Sequence, residues 1–128
     1  MEVMEFSAGE GKWRVNLAIV RISLGNGVVA ILTGGEEPHI GAVAIALPSK
    51  LAHHPEKVII STSVFTVPGH MDDRVATPAA IKIAEELKQP AIVIAGLHIH
   101  QATKEDINKL VENSNNVVSK AVKELKKS

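Results

Sequence analysis

Between positions 13 and 22 apolar residues alternate with polar ones: Trp13, Val15, Leu17 and Ile19 flank Arg14 and Asn16. A period of two predicts a half-buried strand. Gly25-Asn26-Gly27 follows, and an Asn-Gly pair accepts the positive φ of a tight hairpin. Val28–Leu32 reads as the returning strand. Thr33-Gly34-Gly35-Glu36-Glu37-Pro38-His39 reads as a loop, and Gly41–Leu47 as a buried strand rich in small residues. Pro48–Lys57 is expected to be a polar connector holding His53 and His54. Val58–Val67 is a further strand, carried by Val58, Ile59, Ile60, Val64, Phe65 and Val67.

After Val67 the spacing becomes helical. Val67-Pro68-Gly69-His70-Met71-Asp72-Asp73 is a turn, and Asp72 and Asp73 favour a helix start. A second possible start is Thr77 with Pro78 at the first helical position. The helix carries Ile81, Ile83, Ala84 and Leu87 and ends before Pro90. Ala91–Ala95 is a short strand, and Gly96-Leu97-His98-Ile99-His100 leaves it. Thr103-Lys104-Glu105-Asp106 resembles a capping box with Asp in place of Glu. Ile107, Leu110, Val111, Val117, Val118, Ala121, Val122 and Leu125 then repeat at helical spacing.

These elements predict an α+β fold. An antiparallel β-meander joins a β-α-β-α unit, giving one mixed sheet covered by two helices, with a right-handed crossover in the second half. No linker, repeat or low-complexity tract interrupts residues 1–128, so one domain is expected.

Composition narrows the function classes. Lys and Arg number 14 and so do Asp and Glu, so no basic field draws nucleic acid or an anionic membrane. Phe6, Trp13 and Phe65 are the only large aromatics, too few for a base-stacking platform. The chain has no cysteine, which removes disulfides, thiolate metal sites and a Cys nucleophile. The first five residues include Glu2 and Glu5 and show no apolar leader core, and the longest apolar runs are far too short to span a membrane. A cytoplasmic location is expected.

The candidate chemistry lies in glycines and histidines. Gly25-x-Gly27-x-x-Ala30 matches a dinucleotide fingerprint in letters, but a strand follows it where a helix should open, so it reads as a hairpin turn. In Thr33-Gly34-Gly35-Glu36-Glu37-Pro38-His39-Ile40-Gly41 the paired glycines let the backbone bend and a ligand approach its amides. Glu36 and Glu37 would repel a phosphate, and a Walker lysine is absent. His70 precedes a helix start, where free amides attract an anion, while Asp72 and Asp73 read as caps. In His98-Ile99-His100, two imidazoles two residues apart on an extended chain share a face, a geometry for a metal or an acid–base pair. His53 and His54 read as surface residues. Ser61, Thr62 and Ser63 offer hydroxyls without a nucleophile elbow. His39, His70, His98 and His100 all fall at or beyond strand ends, and open α/β sheets bind ligands at the carboxyl ends of their strands. His70 and His98 should emerge at one edge; whether His39 joins them depends on which way its loop turns.

Three blocks, Thr33-Gly34-Gly35-x-x-Pro38-His39-Ile40-Gly41-Ala42-Val43, Gly69-His70-x-Asp72-Asp73 and Gly96-x-His98-Ile99, resemble the LpdD-like, prenylated-flavin chaperone-like domain family. These are the small D subunits of gallate and vanillate type non-oxidative decarboxylases and related small proteins. The resemblance implies an accessory protein that handles prenylated FMN or FMN for a large decarboxylase subunit acting on hydroxyaromatic acids. By carry-over the cofactor-binding candidates are Gly34, Gly35, His39, Gly41, His70, Asp72 and His98. His100 joins them from the residue pattern, although the resemblance places an acidic residue there.

Two other functions stay open at this stage. One is a small histidine-based enzyme that uses His39, His70, His98 and His100 with Asp72, with or without a metal. The other is an assembly module in which Gly41–Leu47 pairs across an interface. A homo-oligomer is expected in either the accessory or the assembly reading.

Overall fold

The computed structural model describes residues 2–23, 25–69 and 72–127. Strand β1 spans Val3–Ala8, β2 Val15–Arg21, β3 Val28–Gly35, β4 Ala42–Leu51 and β5 His54–Thr66. Helix α1, Asp73–Leu87, leads to β6, Ala91–His98, and α2, Lys104–Leu125, closes the order. The strands form one six-stranded mixed sheet in the order β1-β2-β3-β6-β4-β5.

Strand β6 is the pivot. It pairs in parallel with β3, from Val28↔Ala91 to Gly35↔His98, and antiparallel with β4, from Ala42↔Ala95 to Ala46↔Ala91. The expected meander is therefore divided: β1, β2 and β3 lie on one side of β6, and the β4–β5 hairpin lies on the other. Because β5 is antiparallel to β4, it runs parallel to β6, so α1 makes the crossover between two parallel strands that are not neighbours.

The core lies between the sheet and both helices. Val15, Leu17 and Ile19 on β2, Ala30 and Leu32 on β3, Ala44 on β4 and Val93 on β6 are fully buried on this face. They alternate with less buried positions along each strand, as one covered face requires. Small residues on β4 and β6 let α1 sit close, through Ala76, Ala80, Ile83 and Ala84. Helix α2 covers β1, β2 and β3 with Val117, Val118, Ala121 and Leu125. Its start is the capping box expected from sequence: the Asp106 amide donates to Thr103 Oγ1 at 3.1 Å, and the Thr103 amide donates to Asp106 Oδ2 at 2.9 Å.

Three expectations need correction. Strand β1 was not expected; Met4 and Phe6 on its inner face pack against the core. Thr33, Gly34 and Gly35 belong to β3, not to a loop. Pro48–Lys57 is not a connector, because β4 and β5 continue as a hairpin arm that turns at Ala52 and His53. One face of the arm is exposed, while Pro48, Val58 and Ile60 on the other are half-buried. Pro48 is tolerated there because β6 pairs with β4 only as far as Ala46. Of the two possible starts, α1 takes the one at Asp73, which places Pro78 inside the helix.

Candidate functional site

Three parallel strands, β3, β5 and β6, end at the same edge of the sheet. The segment after β3 carries His39, the turn after β5 leads to Asp72, and β6 ends at His98. The topology thus brings His39, Asp72 and His98 together at the carboxyl edge, as ligand sites in open sheets require. His70 lies outside the described residues.

Asp72 organises this edge. It is buried and occupies the N-cap position of α1, yet its carboxylate makes no capping bond. Oδ1 accepts the Leu97 amide at 2.9 Å, and Oδ2 lies 3.1 Å from His39 Nε2. The expected capping role is thus replaced by a tie between α1, β6 and the β3–β4 loop. His39 Nδ1 lies 3.0 Å from the Glu37 carbonyl. Both ring nitrogens of His39 therefore face oxygen. A carbonyl only accepts, so Nδ1 carries a proton.

Glycines make this packing possible. A Cβ on Gly41 would overlap the Asp72 carboxylate, and one on Gly96 would overlap the His39 carbonyl. Gly35 has φ +78°, and its Cβ would meet the His98 carbonyl. The nearby amides are already engaged: Gly35 N–H donates to Arg14 O, Glu36 and Glu37 N–H to His98 O, and Gly41 N–H to Ala95 O. The glycines act here as spacers that bring the loop onto β6. Gly34 has the same role against β2, where its Cβ would meet Arg14 O.

His98 is partly exposed, with its ring edge-on to that of His39 at a centroid distance of 6.1 Å and an interplanar angle of 81°. Its ring nitrogens have no hydrogen-bond partner among the described residues. His100 departs from the expected arrangement. Strand β6 stops at His98, and the chain turns through Gln101 at φ 50°. His100 is exposed, and its backbone amide donates to Glu36 Oε1 at 2.8 Å. The extended geometry that would set His98 and His100 on one face is not continued. Among the described residues no three His, Asp or Glu side chains converge as metal ligands.

His98 stands between two hollows. The shallower one is bordered by Glu37, Pro38, His39 and Ile40. The other, a mainly apolar cavity of about 170 Å³, lies between the α1 start, the β6 end and α2. Leu97, Ile107, Leu110 and Val111 line it, with Asp72 and Arg74 at its polar side. Arg74 and the α2 residues were not singled out from sequence. A cation in the first turn of α1, opposed to the helix dipole, was the one available signal for Arg74.

The residues present fit part of a modified flavin. At about 170 Å³ the cavity is smaller than the roughly 300–1,000 Å³ that encloses a drug-sized ligand. Its apolar lining fits a small branched hydrocarbon substituent, with His98 as a free donor or acceptor at the mouth and Arg74 as a cation for an anionic group. A whole tricyclic ring would extend onto the surface.

The family model for the prenylated flavin chaperone LpdD-like domain matches residues 9–126. No curated protein matches this chain. Among solved structures, a chain from the crystal structure of a chaperone complex for yeast 20S proteasome assembly aligns with a TM-score of 0.59 at 18% identity. The alignment covers 98% of this chain and 95% of that one, so the fold is shared over nearly the whole length.

Proposed function

The chain belongs to the prenylated flavin chaperone LpdD-like family, and from that membership we propose that it is an accessory protein that holds prenylated FMN for a decarboxylase of hydroxyaromatic acids. The observation that carries this reading is the Asp72–His39 pair beside the apolar cavity under Leu97 and His98. A flavin supplies electron-sink and redox chemistry to the enzyme that uses it. The accessory protein's own residues have to bind, orient and release.

Asp72 and His39 do the orienting. Both ring nitrogens of His39 are committed, to Glu37 and to Asp72, so His39 fixes the loop more readily than it shuttles protons. Among the described residues the His98 ring has no hydrogen-bond partner, and it borders both hollows, which suits direct contact with a ring heteroatom. The apolar cavity takes the prenyl substituent, and Arg74 at the rim takes the phosphate. A site that encloses only part of its ligand leaves the remainder open to a client, the large decarboxylase subunit. That openness distinguishes delivery from permanent retention.

The test is an anaerobic titration with reduced prenylated FMN, with plain FMN as the comparison, followed by absorbance and fluorescence. Saturable binding at least tenfold tighter for the prenylated form, weakened by His98→Ala and by Leu97→Ala, is expected. Equal affinity for both flavins would remove the cavity's role. Absence of binding, both alone and with the client subunit present, would overturn the reading.

A further inference from the structure

Both helices pack on one face of the sheet, and among the described residues no element of the chain covers the other. The open face is apolar across its centre. Register places Ala18, Ile31, Ile94, Val43 and Phe65 in one row across five strands. A second row runs Val20, Val29, Ile92 and Ile45, ending at Ser63. Ile31 is 45% exposed, Leu47 48% and Phe65 72%. Central strands that are apolar on both faces are the pattern of a sheet buried on both faces.

From this we infer that the open sheet face is the interface of a symmetric homodimer, in which two copies stack sheet on sheet. Four considerations select a second copy as the occupant. Across β2, β3, β6, β4 and β5 the two rows carry no charged side chain; Glu5 on edge strand β1 extends the first row and places its charge at the rim, so the central faces meet without burying like charges, and the chain's formal net charge is zero. Size is adequate: the five strands that carry the first row, about 4.8 Å apart, over about seven residues of about 3.4 Å, give roughly 570 Å² in projection. Pleating brings that towards the roughly 800 Å² per partner of a standard interface. The chemistry matches too, since homodimer interfaces are more apolar than transient ones. A client that comes and goes would leave this face in water between encounters, whereas a second copy covers it permanently.

The arrangement also corrects the expectation that Gly41–Leu47 pairs across an interface. Strand β4 is flanked by β6 and β5 over that stretch, so its backbone is not free to pair. Its contribution is through the outward side chains Val43, Ile45 and Leu47. The inference does not depend on the flavin reading, because the face and the carboxyl-edge site are separate surfaces.

The experiment uses the full chain. Sedimentation equilibrium is expected to give twice the 13.6 kDa monomer mass for the unaltered protein. Ile31→Glu, at a position that already tolerates solvent, is expected to weaken association at least 100-fold while circular dichroism stays native. Phe65→Glu, on the exposed strand β5, is the second variant should Ile31→Glu fail to fold. Because the chain has no cysteine, a spin label on Ile31→Cys reports the location directly. A pairwise label distance shorter than that of a label on Lys82→Cys, on α1, is expected. A monomer at about 100 µM would overturn the inference, as would a dimer that both glutamate variants leave intact.

Discussion

Asp72 and His39 meet at 3.1 Å even though Asp72 sits where a carboxylate would ordinarily cap α1. The aspartate gives up a local bond for two distant ones, to the loop after β3 and to the Leu97 amide in β6. A cap would stabilise only the first turn of the helix. The observed bonds join three segments that are far apart in sequence, and so define the edge where His98 is presented.

Substitution at Asp72 should separate these two bonds. Asp72→Ala leaves the partly buried Leu97 amide without its acceptor, at a cost of about 1 kcal/mol. Asp72→Asn keeps an oxygen for Leu97 and alters only the His39 side, so its cost should be smaller. Urea unfolding with an unchanged m value would report both. Equal losses for the two variants would mean that the Leu97 bond contributes little.

Asp106 gives a dependence on pH. The Thr103 amide, the Trp13 indole N–H and the Lys12 ammonium surround its carboxylate and hold its pKa well below the usual range, with the Thr103 bond the largest cause. A carboxyl depressed in the folded state contributes stability above its unfolded pKa, near 3.9, and loses that contribution as pH falls towards the folded value. Wild type should therefore exceed Asp106→Asn by most at neutral pH, and the gap should narrow steadily below about pH 4. A gap that is constant from neutral to acid would show that the charge is irrelevant. Thr103→Ala, which removes the reciprocal bond, should cost about 1 kcal/mol at neutral pH.

Local signals were legible where the physics is local. Asn26-Gly27 marked its hairpin, Thr103 and Asp106 marked the start of α2, and His98 stands at the end of its strand. The hidden features depend on distant partners. Strand β1 has only six residues, and Glu5 breaks its apolar character, so Met4 and Phe6 are apolar without announcing a strand. Nothing near Ala91 says that β6 inserts between β3 and β4. Asp72 obeys the capping rule in sequence and departs from it in structure because His39 and Leu97 compete for the same oxygens. His98 and His100 share a face only if the strand continues, and it ends at His98, two residues short of His100.

Helix α1 ends on Lys88 in the left-handed region at φ 55°. A residue with a Cβ is strained there, while glycine is not, though glycine has more freedom to lose on folding. Lys88→Gly should therefore stabilise the protein by about 0.5 kcal/mol, seen as a higher urea midpoint. A lower midpoint would show that the lysine side chain supplies an offsetting contact.

Gly41 and Gly96 should resist replacement for a reason distinct from backbone conformation. Neither has a positive φ, yet a methyl group on Gly41 would collide with the Asp72 carboxylate, and one on Gly96 with the His39 backbone. Gly25 offers the contrast: it has φ +86° with open space around it, so Gly25→Ala pays only conformational strain of about 1 kcal/mol. Gly96→Ala meets rigid backbone, so the loop must move, at an overpacking cost of about 1–3 kcal/mol. Gly41→Ala pushes on a side chain that holds both His39 and Leu97, and so should impair ligand binding by more than its stability loss accounts for. Parallel measurement of unfolding and of flavin affinity across the three variants checks the ordering. If Gly41→Ala and Gly25→Ala retained equal affinity, the Asp72–His39 contact would not be what shapes the site.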